Sequence, residues 1–301
     1  MKLKTIITAL LITVAAATAS AAKPLAKHVV LIGFDGWGAY SYEKAEIPNI
    51  KRLAADGALT LQKRTVLPSS SAVNWASMFM GAGPELHGYT EWGSQTPELP
   101  SREISHYGIF PSVWGLLRDA NPDAEIGYIY EWGGMKYLAE QEAMNFSSNV
   151  YVTDDNPRGC TDTAVNYIRE KKPNLVGIIY DEPDGVGHSK GHDTPEYYAK
   201  LKVLDGYVGE IVQAVKDAGM LDETIFILSS DHGGINKGHG GKTMVEMETP
   251  LIISGKNVKR GHDISESVMQ FDIAPTIAHI FRLETPQVWI GRPLKTVFTK
   301  K

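Results

Sequence analysis

Carboxylates and imidazoles recur in this chain directly after apolar runs, wrapped in glycine. The clearest case is Thr224 to Gly241. Ile225-Phe226-Ile227-Leu228 reads as a buried strand that ends at Ser229-Ser230 and delivers Asp231 and His232. Two glycines come next, and His239 sits further on in a Gly-His-Gly-Gly turn. Such groups at the mouth of a buried strand cost free energy unless something satisfies them. Asp and His together suit a divalent transition metal, zinc first, and the glycines let backbone close around a small charged object. A polar loop with two ordinary histidines is the plainer alternative for this stretch taken alone.

The same arrangement appears twice more. His28 to Phe34 is an apolar run ending in Asp35-Gly36, and Asn174 to Tyr180 leads into Asp181-Glu182-Pro183-Asp184 and on to His188. Asp184 and His188 are four residues apart, which on a helix shares a face, but Pro183, Gly185 and Gly187 predict a ligand-wrapping loop instead. A hydroxyl is available too. Ser69-Ser70-Ser71 stands ahead of an apolar helical pattern running to Gly81, where serine caps helices and where helix-end N–H groups attract anions. A plain N-cap explains an isolated Ser-Ser-Ser equally well.

The elements that must position these residues alternate between strand and helix. Helices are predicted at 48–56, 111–120, 160–171 and 194–219, with a last one at 267–282 interrupted at Pro275; further strands are predicted at 59–67, 125–130 and 250–254. This is the pattern of an α/β fold with a doubly wound, mostly parallel sheet and helices on both faces. Ligands in such sheets sit at the carboxyl ends of strands, where Asp35, Asp184 and Asp231 all fall. One catalytic domain is expected over 22–301, with a small irregular rim or insertion at about 89–150, partly core and partly rim, that holds Trp92, Trp114 and Trp132.

Composition narrows the classes. Residues 1–21, with Lys2 and Lys4 before an apolar stretch and Ala19-Ser20-Ala21 at its end, read as a Sec-type signal peptide, so an exported periplasmic or secreted protein is expected. Loss of those two lysines takes the formal charge from −5 to −7, which disfavours a nucleic-acid polymer or an anionic membrane as partner. Cys160 is the sole cysteine, excluding an internal disulfide, a cysteine-rich zinc cluster and a lipid-bearing cysteine. Metal ligands must then be His, Asp, Glu or hydroxyls.

In order and spacing, these motifs resemble the alkaline phosphatase superfamily, and within it the nucleotide pyrophosphatase/phosphodiesterase-like branch. The resemblance rests on Phe34-Asp35-Gly36, the serine segment leading to Gly83-Pro84-Glu85-Leu86-His87-Gly88, Glu182-Pro183-Asp184 to Gly187-His188, Ser230-Asp231-His232-Gly233, and His239. It implies two zinc ions per chain. Asp184, His188 and His239 would hold one; Asp35, Asp231, His232 and the oxygen of the nucleophile, Ser71, would hold the other. The implied reaction is hydrolysis of a small phosphate ester through a phosphoseryl intermediate, by a phosphodiesterase or nucleotide pyrophosphatase.

The chemistry agrees, because bound metal lowers the pKa of a hydroxyl and two ions can bridge a phosphoryl group. An alkaline phosphomonoesterase is the next reading, then a sulfatase, for which the C/S-x-P-x-R segment is missing, then a non-catalytic metal-stabilised binding protein. Where many relatives place a phosphoryl-binding asparagine, this chain has Trp92, which either stacks on part of the substrate or packs in the core. Asn74 or a helix-end N–H is expected to replace the missing donor. His87 is expected to be structural and His192 to neighbour the site. Lys237 and Lys242 are candidates for phosphate binding, and His28, His106, His262 and His279 are read as surface or packing residues.

Overall fold

Residues 23–299 are described by a computed structural model, and the expected leader at 1–21 lies outside them. The described chain runs β1 (His28–Asp35), α1 (Pro48–Ala55), β2 (Gly57–Arg64), α2 (Ser71–Met80), α3 (Pro84–His87), α4 (Val113–Ala120), β3 (Ile126–Tyr130), β4 (Phe146–Asn149) and α5 (Gly159–Lys171). It continues with β5 (Leu175–Pro183), α6 (Asp184–Lys190), α7 (Pro195–Asp217), β6 (Thr224–Ser230), α8 (Met244–Met247), β7 (Glu248–Gly255), β8 (His262–Asp263) and α9 (Ile273–Phe281).

Alternation along β1 explains the layers. Val29 and Leu31 pack on one side of the sheet with Trp75, Phe79, Trp114 and Ile277. Val30, Ile32 and Phe34 pack on the other with Ile50, Ile168, Leu204 and Ile211. Successive strand side chains point to opposite faces, so a strand apolar at every position must be covered twice. Helices α2, α4 and α9 cover one face, and α1, α5 and α7 the other. The expected doubly wound α/β architecture is what the chain adopts.

The eight strands lie in the order β4-β3-β5-β1-β6-β7-β2-β8. β5, β1 and β6 are adjacent and parallel, so their carboxyl ends share one edge of the molecule. β7 runs antiparallel to both β6 and β2, which makes the sheet mixed on that side.

Two local expectations are corrected. Asp184 to Lys190 is a helix and not a loop, so Asp184 and His188 do share one face, a turn apart. Gly187 is tolerated there because the ring of His192 lies over it: a Cβ would come within 2.4 Å of that ring. Pro275 does not interrupt the last helix. It falls in the first turn of α9, where its missing N–H has no intrahelical partner to lose. The segment at 89–150 is partly core: Trp114, Tyr128 and Ile129 are fully buried while Trp92 is two-thirds exposed.

Candidate active site

Three parallel strands each deliver an aspartate to the same edge. Asp35 closes β1, Asp184 comes directly after β5, and Asp231 directly after β6. Gly36 is what permits their approach. Its φ of +70° suits glycine, and a Cβ there would meet Asp184 Oδ1 at 2.6 Å. Its N–H donates to Asp231 Oδ1 at 3.1 Å. Gly33 leaves room for the Trp75 ring, whose Nε1–H donates to Asp35 Oδ2 at 3.1 Å.

The tautomers of the histidines are set by their partners. Nδ1 of His232 lies 2.8 Å from the Gly233 carbonyl, that of His239 3.1 Å from the Ser69 carbonyl, and that of His188 2.9 Å from the Lys237 carbonyl. A carbonyl can only accept, so each Nδ1 carries the proton and each Nε2 presents a lone pair. For His232 that lone pair faces Asp35 Oδ1 at 3.3 Å, Asp231 Oδ2 at 3.2 Å and Ser71 Oγ at 3.2 Å. Nε2 of His188 and of His239 lie 3.0 Å and 3.7 Å from Asp184 Oδ2. The rings of His232 and His239 stack at 3.7 Å.

Lone pairs aimed at carboxylates repel unless a cation lies between them. Asp35 Oδ1, Asp184 Oδ1 and Asp231 Oδ2 are buried without a hydrogen-bond partner. Burying an unpaired carboxylate costs several kcal/mol, and three together cost more through mutual repulsion. Burial, then the other carboxylates, raises Asp35 well above its ordinary range and Asp184 to about 8; burial raises Asp231 to about 7. Burial pushes His232 down to about 3 and His239 to about 4. Neutral imidazoles beside crowded carboxylates are a donor set for divalent metal. Two groupings have their ligand atoms within 4.8 Å of one another: Asp35 with Asp231 and His232, and Asp184 with His232 and His239. His188 joins the second through Asp184.

Ser71, the first residue of α2, is brought to this cluster. Asn74 is not. It is fully buried, its Oδ1 accepts from Val66 N–H at 2.8 Å, and its Nδ2 donates to the carbonyls of Val66, Pro68 and Ser70. The expected substrate contact through Asn74 is therefore corrected: its amide is used up in bracing the loop that carries the serines. One helix-end donor is also taken, because Ala72 N–H donates to the Trp92 carbonyl at 3.0 Å.

That bond holds Trp92 over the start of α2. Its ring stacks on Trp132, with centroids 6.4 Å apart, and Trp92 itself stands at the mouth of the site. A cavity of about 470 Å³ opens there, lined by Pro68, Ser70, Glu91, Trp92, His188 and His239. Trp92 is thus not a core residue.

Of the remaining candidates, His87 is buried, with Nε2 against Ser77 Oγ at 2.9 Å and Nδ1 accepting from Tyr89 N–H at 3.1 Å, a structural role. Lys237 donates to the Ser189 carbonyl, which holds α6 beside the His239 loop. His192 is buried with neither ring nitrogen bonded, its Nε2 3.4 Å from Asp184 Oδ1. Lys63 and Gln270, fully buried beside Ser230, escape sequence reasoning, since nothing local marks a lysine in a strand or a glutamine before a helix as interior.

Comparison with known proteins accords with this geometry. The chain matches the type I phosphodiesterase / nucleotide pyrophosphatase model over residues 29–276. It is 23% identical over 216 residues to ectonucleotide pyrophosphatase/phosphodiesterase family member 7 of Mus musculus, covering 68% of this chain and 49% of that protein. A 100-residue stretch, 29% of this chain and 19% of the relative, is 35% identical to arylsulfatase K of Danio rerio. The chain thus spans half or less of the length of these relatives. Among solved structures, murine ectonucleotide pyrophosphatase / phosphodiesterase 5 in complex with AMP superposes with a TM-score of 0.73 at 15% identity, covering 91% of this chain and 100% of that one. With the family model spanning most of its length, the chain belongs to the type I phosphodiesterase / nucleotide pyrophosphatase family, and through it to the alkaline phosphatase superfamily.

Proposed function

We propose that this protein is an exported two-zinc phosphoesterase that hydrolyses small phosphodiesters or nucleotide pyrophosphates through a phosphoseryl intermediate on Ser71. The observation that carries the reading is the convergence of Ser71 Oγ, the His232 lone pair and three aspartates, each with one buried oxygen that lacks a hydrogen-bond partner, at the ends of adjacent strands.

Asp184, His188 and His239 would hold one ion, and Asp35, Asp231, His232 and Ser71 the other. When bound, the ions supply Lewis acidity that favours the serine alkoxide and neutralises charge on the phosphoryl oxygens. The chain does the positioning. Trp75 and Gly36 fix Asp35 and Asp231 by hydrogen bonds, and the backbone carbonyls of Gly233, Ser69 and Lys237 fix the imidazole tautomers.

Ser71 Oγ attacks phosphorus. The Ser–O–P bond forms as the bond to the leaving oxygen breaks, and that oxygen keeps the electron pair. Water then attacks phosphorus, the bond from phosphorus to Ser71 Oγ breaks with the electron pair staying on Oγ, the phosphate product leaves, and a proton from the water restores the serine hydroxyl. Trp92 and Trp132 offer an apolar, aromatic face to the group attached to phosphorus. Similarity to a sulfatase does not redirect this reading, because Ser71 is followed by Ala72-Val73-Asn74 and not by the C/S-x-P-x-R pattern.

The test is the zinc-loaded protein assayed with bis-p-nitrophenyl phosphate, p-nitrophenyl phosphate and p-nitrophenyl sulfate. The diester is expected to show the highest kcat/KM. A preference for the sulfate, or no turnover of any of the three, would overturn the reading.

A further inference from the structure

Behind the aspartates, on the side away from the cavity, two buried polar side chains join elements that the sheet order keeps apart. β2 loses register with β7 between Thr60 and Lys63, and a bulge of this kind re-aims the side chains beyond it. Lys63 is fully buried and reaches past β7 to the end of β6, where its Nζ donates to the Ser230 carbonyl at 3.0 Å. The same ammonium donates to Gln270 Oε1. Gln270, equally buried, donates Nε2 to the Asn74 carbonyl at 3.1 Å and to the Ser230 carbonyl at 3.3 Å.

The two carbonyls so joined matter. Asn74 lies one turn into α2, whose first residue is Ser71, and Ser230 immediately precedes Asp231 and His232. A lysine buried without a carboxylate directly on it costs several kcal/mol to desolvate, and an apolar side chain would fill the space without that cost. Gln270 offers its oxygen to Lys63 and its nitrogen to both backbones, so the pair works as one unit.

We propose that Lys63 and Gln270 are positioning residues that lock α2 against the end of β6 and so set the distance between Ser71 Oγ and the Asp231–His232 pair. This rests on Ser71 being the nucleophile. A misplacement of about 1 Å at a reacting atom can cost on the order of a hundredfold in rate, so a tie this near the nucleophile bears on turnover more than on substrate binding.

The test uses the full zinc-loaded chain with Gln270→Leu, Gln270→Glu, Lys63→Met and the Lys63→Met/Gln270→Leu double variant. Gln270→Glu keeps the volume and the contact with Lys63 but loses both N–H donations; it decides the matter if Gln270→Leu does not fold. Turnover of bis-p-nitrophenyl phosphate is expected to fall about 10- to 100-fold in each Gln270 variant, with KM within about threefold and wild-type zinc content. The double variant is expected to be no worse than the poorer single one, because both residues act through one contact.

Wild-type kcat in a folded Gln270 variant would overturn the proposal. So would loss of zinc in step with activity, which would mean that the pair builds the metal site and does not aim the serine. Ser71→Ala is assayed alongside. If it stays active, the nucleophile assignment fails; if it is dead while the Gln270 variants turn over normally, the clamp alone fails.

Discussion

Ser71 Oγ and His232 Nε2 face each other at 3.2 Å, while the other ring nitrogen of His232 is committed to the Gly233 carbonyl. The two neighbouring serines are placed differently. Ser69 Oγ donates to the Gly241 carbonyl at 2.7 Å, and Ser70 is the N-cap of α2, with its Oγ buried and unpartnered. Ser71→Ala is therefore expected to lose about a thousandfold or more in kcat while retaining zinc, and Ser69→Ala and Ser70→Ala to stay within about tenfold. Acid trapping with labelled substrate and peptide mapping reads the answer directly. A label on Ser69 or Ser70 would reassign the nucleophile.

Metal content separates the histidines. His239 turns a bare Nε2 toward Asp184, whereas His192 faces the opposite carboxylate oxygen, Oδ1. His239→Ala and Asp231→Ala are each expected to bind fewer zinc ions than the wild type, which should hold two after dialysis. His192→Ala is expected to keep both. Loss of an ion from His192→Ala, or a wild type saturating at one, would redraw the site.

The metal-free protein should respond to pH in a defined direction. Asp184 is raised to about 8 in the folded chain, against an ordinary value near 4 when unfolded. Folding then takes up a proton through the whole interval between, so the stabilising contribution is complete at low pH and is lost as pH rises through 8. The buried histidines act oppositely, but their effect falls below about pH 6.5, where the unfolded imidazole charges. Lys63, lowered by burial to about 7, opposes the carboxylates above that pH, so the share of Asp184 is read as the difference between wild type and Asp184→Asn. Relative to chelator-treated Asp184→Asn, chelator-treated wild type should lose roughly 1 kcal/mol of stability per pH unit in urea titrations between pH 5 and 8. Zinc loading should flatten the dependence. A stability difference between the two chelated proteins that is the same at pH 5 and pH 8 would contradict this.

Trp92 stands two-thirds exposed against Trp132 at the cavity mouth. Stacking between aromatic rings contributes about 1 kcal/mol, so Trp92→Ala should raise KM for an aryl diester about fivefold with kcat little changed. An equal KM for the variant and the wild type would remove Trp92 from the substrate site.

Much of this site is legible in the linear chain because its parts are local. An apolar run closed by Asp-Gly, or by Asp-His-Gly-Gly, declares a buried strand and a ligand at its end, and β1 and β6 have that pattern. The strand β5 is equally readable, but the helix after it is not. Pro183 stands at the N-cap of α6, where it breaks nothing, and α6 forms because packing against α7 and β5 outweighs the roughly 1 kcal/mol that Gly185 and Gly187 each cost.

Asn74 shows the other limit. Residue type and spacing mark it as a polar group near Ser71, but three carbonyls of the folded loop claim its amide. Lys63 and Gln270, 207 positions apart, carry no signal at all. Chemical identity is written residue by residue, so ligand types and strand ends can be read in order along the chain. The direction in which a buried polar side chain points is set by whichever unsatisfied group the fold brings beside it, and only the tertiary structure decides that.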